Sequence, residues 1–160
     1  IAYTPFGELT VFVFFGLVAV MGTDWVLTGS VGPVSMIAAA ALGSLAAAAL
    51  AANNHRDIAH DRLVGRRTFA VSFGADASRA LYAGLLLGPF LLVPIMALTA
   101  QALMLLLPLL LLPAALRLRR DFTHCPPGVA YNEVLFRTFR LELWFAALLS
   151  AGGLLARRLG

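Results

Sequence analysis

Residues 31–62 read VGPVSMIAAAALGSLAAAALAANNHRDIAHDR. Val31 to Ala52 carries no charge, and about 20 mostly apolar residues are enough for a helix to cross a bilayer. The run then passes directly into Asn53-Asn54-His55-Arg56-Asp57-Ile58-Ala59-His60-Asp61-Arg62. A membrane crossing that ends in a dense polar cluster has the layout of a site at the membrane surface.

The rest of the chain repeats the apolar part. Of 160 residues, 61% are hydrophobic and 12% charged, where a soluble domain carries about a quarter charged. The pattern predicts an all-α integral membrane protein of five transmembrane helices, at about 9–26, 31–55, 80–99, 101–118 and 138–156. The motif stretch 53–79 lies between the second and third, and residues 1–160 form part of one transmembrane domain. Ala80 to Leu116 is uncharged and too long for one crossing, so Thr99 and Gln101 are expected to mark a turn. Pro89, Pro94, Pro108 and Pro113 are compatible with membrane helices, which kink against their neighbours.

The formal charge is +4, and all 12 basic residues are Arg. A basic excess can mean nucleic acid, but these residues sit in short stretches between apolar runs, so no nucleic-acid partner is expected. Arg56, Arg62, Arg66, Arg67 and Arg79 follow the second span, and Arg117, Arg119, Arg120 and Arg137 the fourth. The positive-inside rule puts both stretches in the cytoplasm, with Arg157 and Arg158 a mild violation. The single cysteine, Cys125, excludes an internal disulfide. The chain starts at Ile1 and enters an apolar run almost at once, which leads us to expect an upstream portion.

In the polar cluster, Asn54, Asp57 and Asp61 are spaced i, i+3, i+7, and Asn53 lies four before Asp57. Residues three and four apart share a helical face, so two carboxylates and an amide are expected to point one way. Paired carboxylates repel unless a cation lies between them. Mg²⁺ suits them, because it takes hard oxygen ligands and binds through one or two carboxylates plus phosphate oxygens. Arg62, Arg66 and Arg67 follow, and a guanidinium grips phosphate in bidentate fashion. The competing reading is an ordinary mixed-charge loop in which Asp and Arg pair and solvate, and spacing alone does not separate the two. His55 and His60 flank the carboxylates, but with no Cys or third His nearby they read as polar headgroup-level residues rather than transition-metal ligands.

The run NNHRDIAHDRLVGRRTFAVSFG, residues 53–74, resembles the second Asp-rich motif of the UbiA superfamily of intramembrane prenyltransferases. More narrowly it is similar to the 1,4-dihydroxy-2-naphthoate polyprenyltransferases of menaquinone biosynthesis, whose pattern is close to NNxRDxxxDxxxGKRTxAVxxG. GELTVFVFFGLVAVMGT from Gly7 and TFRLELWFAALLSAGGLL from Thr138 agree with that subfamily, so the resemblance covers nearly the whole chain. It implies nine helices around a central cavity, of which this chain resembles the last five. The first Asp-rich motif, of the NDxxD kind, would come from a missing N-terminal half, and the chain would not be catalytically complete alone.

The resemblance further implies that Asp57 and Asp61 hold Mg²⁺ against a polyprenyl diphosphate, with Asn53 or Asn54 beside them, and that Arg62 and Arg67 contact the diphosphate. Arg66 stands where the family usually has Lys. The implied acceptor is 1,4-dihydroxy-2-naphthoate, prenylated with loss of its carboxylate as CO₂ to give demethylmenaquinol, in a bacterial inner membrane. Glu8, Arg140 and Glu142, near span entries, are candidates for lining the substrate cavity, as is Tyr3. His55, Ser72, Asp24 and Glu142 depart from the residues usual at their positions.

Other readings remain open from sequence. The acceptor could be 4-hydroxybenzoate, homogentisate, haem or a chlorophyll precursor. A transporter would place its charges at mid-membrane, whereas here they gather at one end. A non-catalytic membrane scaffold is a third class, against which the intact carboxylate pair argues.

Overall fold

The computed structural model describes residues 4–125 and 130–159, so Tyr3 and the Pro126, Pro127 and Gly128 of the expected loop lie outside it. The described residues are helical throughout, without strands. Four helices are long and apolar enough to cross a membrane: Gly7–Thr28, Pro33–Arg56, Phe69–Ala100 and Ala130–Arg158. The all-α expectation holds.

The first crossing is continuous but not uniform. α1 (Gly7–Val11) passes into a π-helix, Phe12–Met21, and then into α2 (Gly22–Thr28). The π segment packs on α3 (Pro33–Arg56) at very short range. A Cβ on Gly16 would stand 2.6 Å from the Ala39 carbonyl oxygen and from Gly43 Cα. One on Gly43 would meet the Phe12 carbonyl oxygen at 2.7 Å. Where lipid is as apolar as the side chains, helices associate by such close packing of small residues. The same logic accounts for the alanines of α3. Ala41, Ala48 and Ala52 are buried, and α3 packs against the π segment, α5 (Phe69–Ala100) and α7 (Ala130–Leu159).

Two elements differ from expectation. The stretch 53–79 is mostly helical rather than a loop: Asn53 to Arg56 end α3, α4 spans Ile58–Leu63, and α5 begins at Phe69, kinked at Gly74. Apolar Leu63 and Val64 are exposed at its tip, while Asp61 of α4 is fully buried and α4 packs against α5. The expected crossing 101–118 is built from two shorter helices, a 3-10 segment, Leu103–Leu111, and α6 (Leu112–His124), so it does not count as one long apolar helix. Pro108 inside the 3-10 segment lacks an N–H, and Pro113 opens α6, where a missing N–H costs nothing. Nine residues at about 2.0 Å and thirteen at about 1.5 Å still extend about 37 Å.

The main core lies between α3, α5, the 3-10 segment, α6 and α7, with Tyr82, Leu86, Phe90, Phe122 and Phe145 at its centre. Tyr82 stacks on Phe122 with ring centroids 3.9 Å apart and shares a buried 2.8 Å hydrogen bond with Thr138 of α7. His55 belongs to this aromatic cluster, 4.8 Å from Phe122 and 5.3 Å from Tyr131, so it is a buried residue of α3 and not the polar loop residue expected. His60 is exposed, as expected.

These contacts bring the ends of α3, α6 and the start of α7 together. Arg56 donates through Nη1 to Asn132 Oδ1 at 2.7 Å, so both Arg-rich stretches lie at one end of the bundle. Asp24, without a role in the sequence reading, accepts from the Gly32 backbone N–H at 3.2 Å and ties the connection into α3.

Candidate functional site

The site forms where α3 stops. Asp57 takes φ −92° and ψ 7°, which breaks the helix after Arg56 and starts α4. Asn54, Asp57 and Asp61 therefore do not continue one regular helix, and each has its own partner.

Asp57 is held by Arg56, whose Nε donates to Oδ1 and whose Nη2 donates to Oδ2, both at 2.8 Å. Asn53 Nδ2 lies 3.4 Å from Oδ2, and Arg56 Nη2 also donates to Asn53 Oδ1 at 2.9 Å. The hydrogen bonds from Arg56 hold the Asp57 carboxyl below its ordinary pKa, against partial desolvation, with help from the charges of Arg56, His60 and Arg66. Arg56 thus clamps α3, Asp57 and, through Asn132, α7. The sequence reading left Arg56 without a role, and Asn132, 76 positions away, gave no signal at all.

Asp61 is fully buried. Its Oδ1 accepts from Arg66 Nη1 at 3.1 Å, and its Oδ2 has no hydrogen-bond partner. The turn that allows this contact depends on Gly65, at φ +74°. The left-handed turn carries the Arg66 backbone N–H to the Asp61 carbonyl at 2.9 Å and swings the side chain back over the carboxylate. Thr68 then caps α5, its hydroxyl accepting from the Val71 N–H at 3.4 Å. Arg62 and Arg67 are exposed at the surface of this turn.

Asn54 turns the other way. Its Nδ2 donates to Glu8 Oε1 at 2.9 Å, both residues are buried, and Glu8 Oε2 has no partner. Glu8 is thus drawn into the site from α1. A small cavity of about 250 Å³ lies beside it, lined by Asn54, Arg66, Thr68, Thr10, Val11 and Leu50.

Val11 and Leu50 also line a larger cleft of about 580 Å³ between the π-helix, α3 and α7. Phe15, Ala49 and Phe139 make it apolar, Asn53 stands at one end, and Glu142 opens into it. Arg140 does not. It faces a separate pocket between α6 and α7, because two residues along a helix turn the side chain by about 200°.

The donors suit a hard cation and a phosphate. Every acceptor at the site is oxygen, and two buried carboxylate oxygens, Asp61 Oδ2 and Glu8 Oε2, lack partners. An unpartnered buried carboxylate oxygen is costly in a dry site, which a cation or a donor would relieve. Among the described residues no three His, Cys, Asp or Glu side chains stand close enough to cage a metal by themselves. Two carboxylates completed by phosphate oxygens are the arrangement Mg²⁺ commonly takes.

Known proteins resemble this chain along most of its length. The model of the UbiA prenyltransferase family matches residues 2–126. A 1,4-dihydroxy-2-naphthoate octaprenyltransferase of Mycobacterium tuberculosis is 48% identical over 84 residues, covering 52% of this chain and 29% of that protein. The enzyme of the same description from Escherichia coli K12 is 40% identical over 86 residues, 54% of this chain and 28% of that protein. The UbiA prenyltransferase domain-containing protein 1 of Mus musculus is 36% identical over 141 residues, 88% of this chain and 40% of that protein. The matched stretches cover between 28% and 40% of the length of these relatives.

Proposed function

From the premise that the chain belongs to the UbiA prenyltransferase family, we propose that it forms the second Asp-rich half of an intramembrane transferase that moves a polyprenyl group from polyprenyl diphosphate to 1,4-dihydroxy-2-naphthoate. Helices beyond those of this chain would supply the first Asp-rich motif, in keeping with the greater length of its relatives. The observation that carries the reading is Asp61, buried and unpartnered on one oxygen, with the other bonded to Arg66, which lines the small cavity that shares Val11 and Leu50 with the apolar cleft.

In this reading Asp57 and Asp61 would hold Mg²⁺, and the charge it would supply when bound is what stabilises a departing diphosphate. Arg56 grips both oxygens of Asp57 and fixes the orientation of the carboxylate, which a bound cation would share with the guanidinium. Arg66 reaches the departing diphosphate from Asp61, and the exposed Arg62 and Arg67 close over it from the surface turn. Asn53 fixes the Asp57 carboxylate, and Asn54 and Glu8 form the wall between the polar cavity and α1. The cleft lined by Phe15, Ala49 and Phe139 holds the polyprenyl chain and keeps water from the allylic cation. Glu142 lines that cleft, and in this reading it would meet a polar group of the acceptor. The ring carbon that attacks would lose its carboxylate as CO₂, giving demethylmenaquinol.

A second acceptor reading rests on the greater coverage of this chain by the UbiA prenyltransferase domain-containing protein 1 sequences. Membranes containing the complete protein, given labelled polyprenyl diphosphate with 1,4-dihydroxy-2-naphthoate or with 4-hydroxybenzoate or homogentisate, distinguish the two. Prenylated naphthoquinol from the dihydroxynaphthoate alone supports the proposal. Turnover confined to another acceptor keeps the chemistry and overturns the acceptor.

A further inference from the structure

On the side of α7 away from the cleft, a pocket of about 540 Å³ opens between α6 and α7. Arg117 of α6 and Arg137 and Arg140 of α7 line it, against one carboxylate, Glu133. Arg137 is already engaged, its Nη1 donating to Asp121 Oδ2 at 2.7 Å. Arg117 and Arg140 are exposed and make no ion pair among the described residues. Two guanidinium groups thus face a pocket with a surplus of positive charge, which calls for a phosphate-bearing anion.

The pocket is ordered along the membrane normal. α6 runs toward the motif end of the bundle and α7 runs away from it, so Glu133, Arg137 and Arg117 lie near that end and Leu111 and Trp144 lie deepest. Arg140 and Trp144 are separated by four residues, about 6 Å. Glu133 and Arg137 therefore sit outermost, Leu118 and Leu141 line the wall at the level of Arg117 and Arg140, and Ala114, Leu111 and Trp144 form the apolar floor below them. A phospholipid has the same order, phosphate above and acyl chain below, and a Trp at such a boundary is a common membrane-interface anchor. A free phosphate or diphosphate shares the anionic chemistry but has nothing to place on the apolar floor.

We propose that the α6–α7 pocket is a binding site for the headgroup of an anionic phospholipid, with Arg117 and Arg140 on its phosphate and an acyl chain along Ala114, Leu111 and Trp144. The site is separate from the Asp57–Asp61 centre and does not depend on the reaction assigned to it.

The test is native mass spectrometry of the complete protein in a neutral detergent, titrated with phosphatidylglycerol or with phosphatidylcholine of the same acyl chains. Arg117→Gln/Arg140→Gln is compared with Arg119→Gln/Arg120→Gln, which removes equal charge from the same helical end outside the pocket. The expected result is at least tenfold preferential retention of phosphatidylglycerol, abolished in the first double variant and kept in the second. Single Arg140→Gln, an exposed change, should weaken retention if the double variant fails to insert. Equal retention of phosphatidylcholine, unchanged retention by the Arg117/Arg140 variant, or equal loss in both double variants would overturn the site. Displacement of the lipid by stoichiometric inorganic diphosphate would identify a free-anion site and overturn the lipid assignment.

Discussion

Arg66 Nη1 stands 3.1 Å from Asp61 Oδ1, while Asp61 Oδ2, fully buried, has no partner. A lone arginine does not satisfy a buried carboxylate. The half-filled Asp61 is therefore the point at which a bound cation gains most, and the contact with Arg66 exists only because the chain reverses at Gly65.

Replacing Gly65 tests that dependence. A Cβ there meets nothing within 4 Å, so the cost is the left-handed backbone alone, about 1–2 kcal/mol. Gly65→Ala is expected to lower the thermal midpoint modestly and raise the KM for polyprenyl diphosphate several-fold. Gly65→Asn, which tolerates that conformation, is expected to fall between the two in both measurements.

Arg56 sets the acid limit of Asp57. The Asp57 carboxyl is depressed from 3.8, so its contribution is present above that value and is lost as the pH falls through the depressed one. In Arg56→Gln the hydrogen bonds from the guanidinium vanish, the carboxyl pKa rises, and the acid limb of the pH–rate profile should move to higher pH. An unmoved acid limb would show that Asp57 does not control it.

Close packing of α3 on the π-helix is expected to tolerate no side chain at Gly43. In Gly43→Ala the new Cβ would lie 2.7 Å from the Phe12 carbonyl oxygen, a backbone atom that cannot step aside. Overpacking of this kind costs about 1–3 kcal/mol. Gly84→Ala, with nothing within 4 Å, should be neutral or slightly stabilising, and thermal unfolding in detergent compares the two.

The Tyr82–Thr138 hydrogen bond joins α5 to α7 inside the core and involves none of the hydrogen-bond partners of Asp57 or Asp61. Tyr82→Phe is expected to cost about 1 kcal/mol in stability and to leave the KM for both substrates unchanged.

Much of this architecture is legible in the chain itself, because uninterrupted apolar runs such as Val31 to Ala52 admit few alternatives to a membrane helix. Asp57, Asp61 and Arg66 could be singled out from residue type and spacing. Their individual partners could not. Asp57 breaks the helix that spacing would continue, and Asn54 turns to Glu8, 46 residues away. The π segment left no mark in the sequence, since its residues differ little in polarity, and Gly16 and Gly43 signal a close approach only once they face each other. Arg140 and Glu142 read alike as charges near a span entry, yet the turn of the helix sends them to opposite sides of α7.

The most direct measurement is prenyl transfer by an Asp61→Asn variant of the complete protein, assayed with Mg²⁺ beside wild type at matched membrane insertion. Asparagine keeps the size and can still accept from Arg66, but it removes the charge a cation needs. The account predicts a loss of at least a hundredfold in turnover, with wild-type activity abolished by EDTA and restored by Mg²⁺. Near-normal turnover by Asp61→Asn, or wild-type activity indifferent to EDTA, would contradict it.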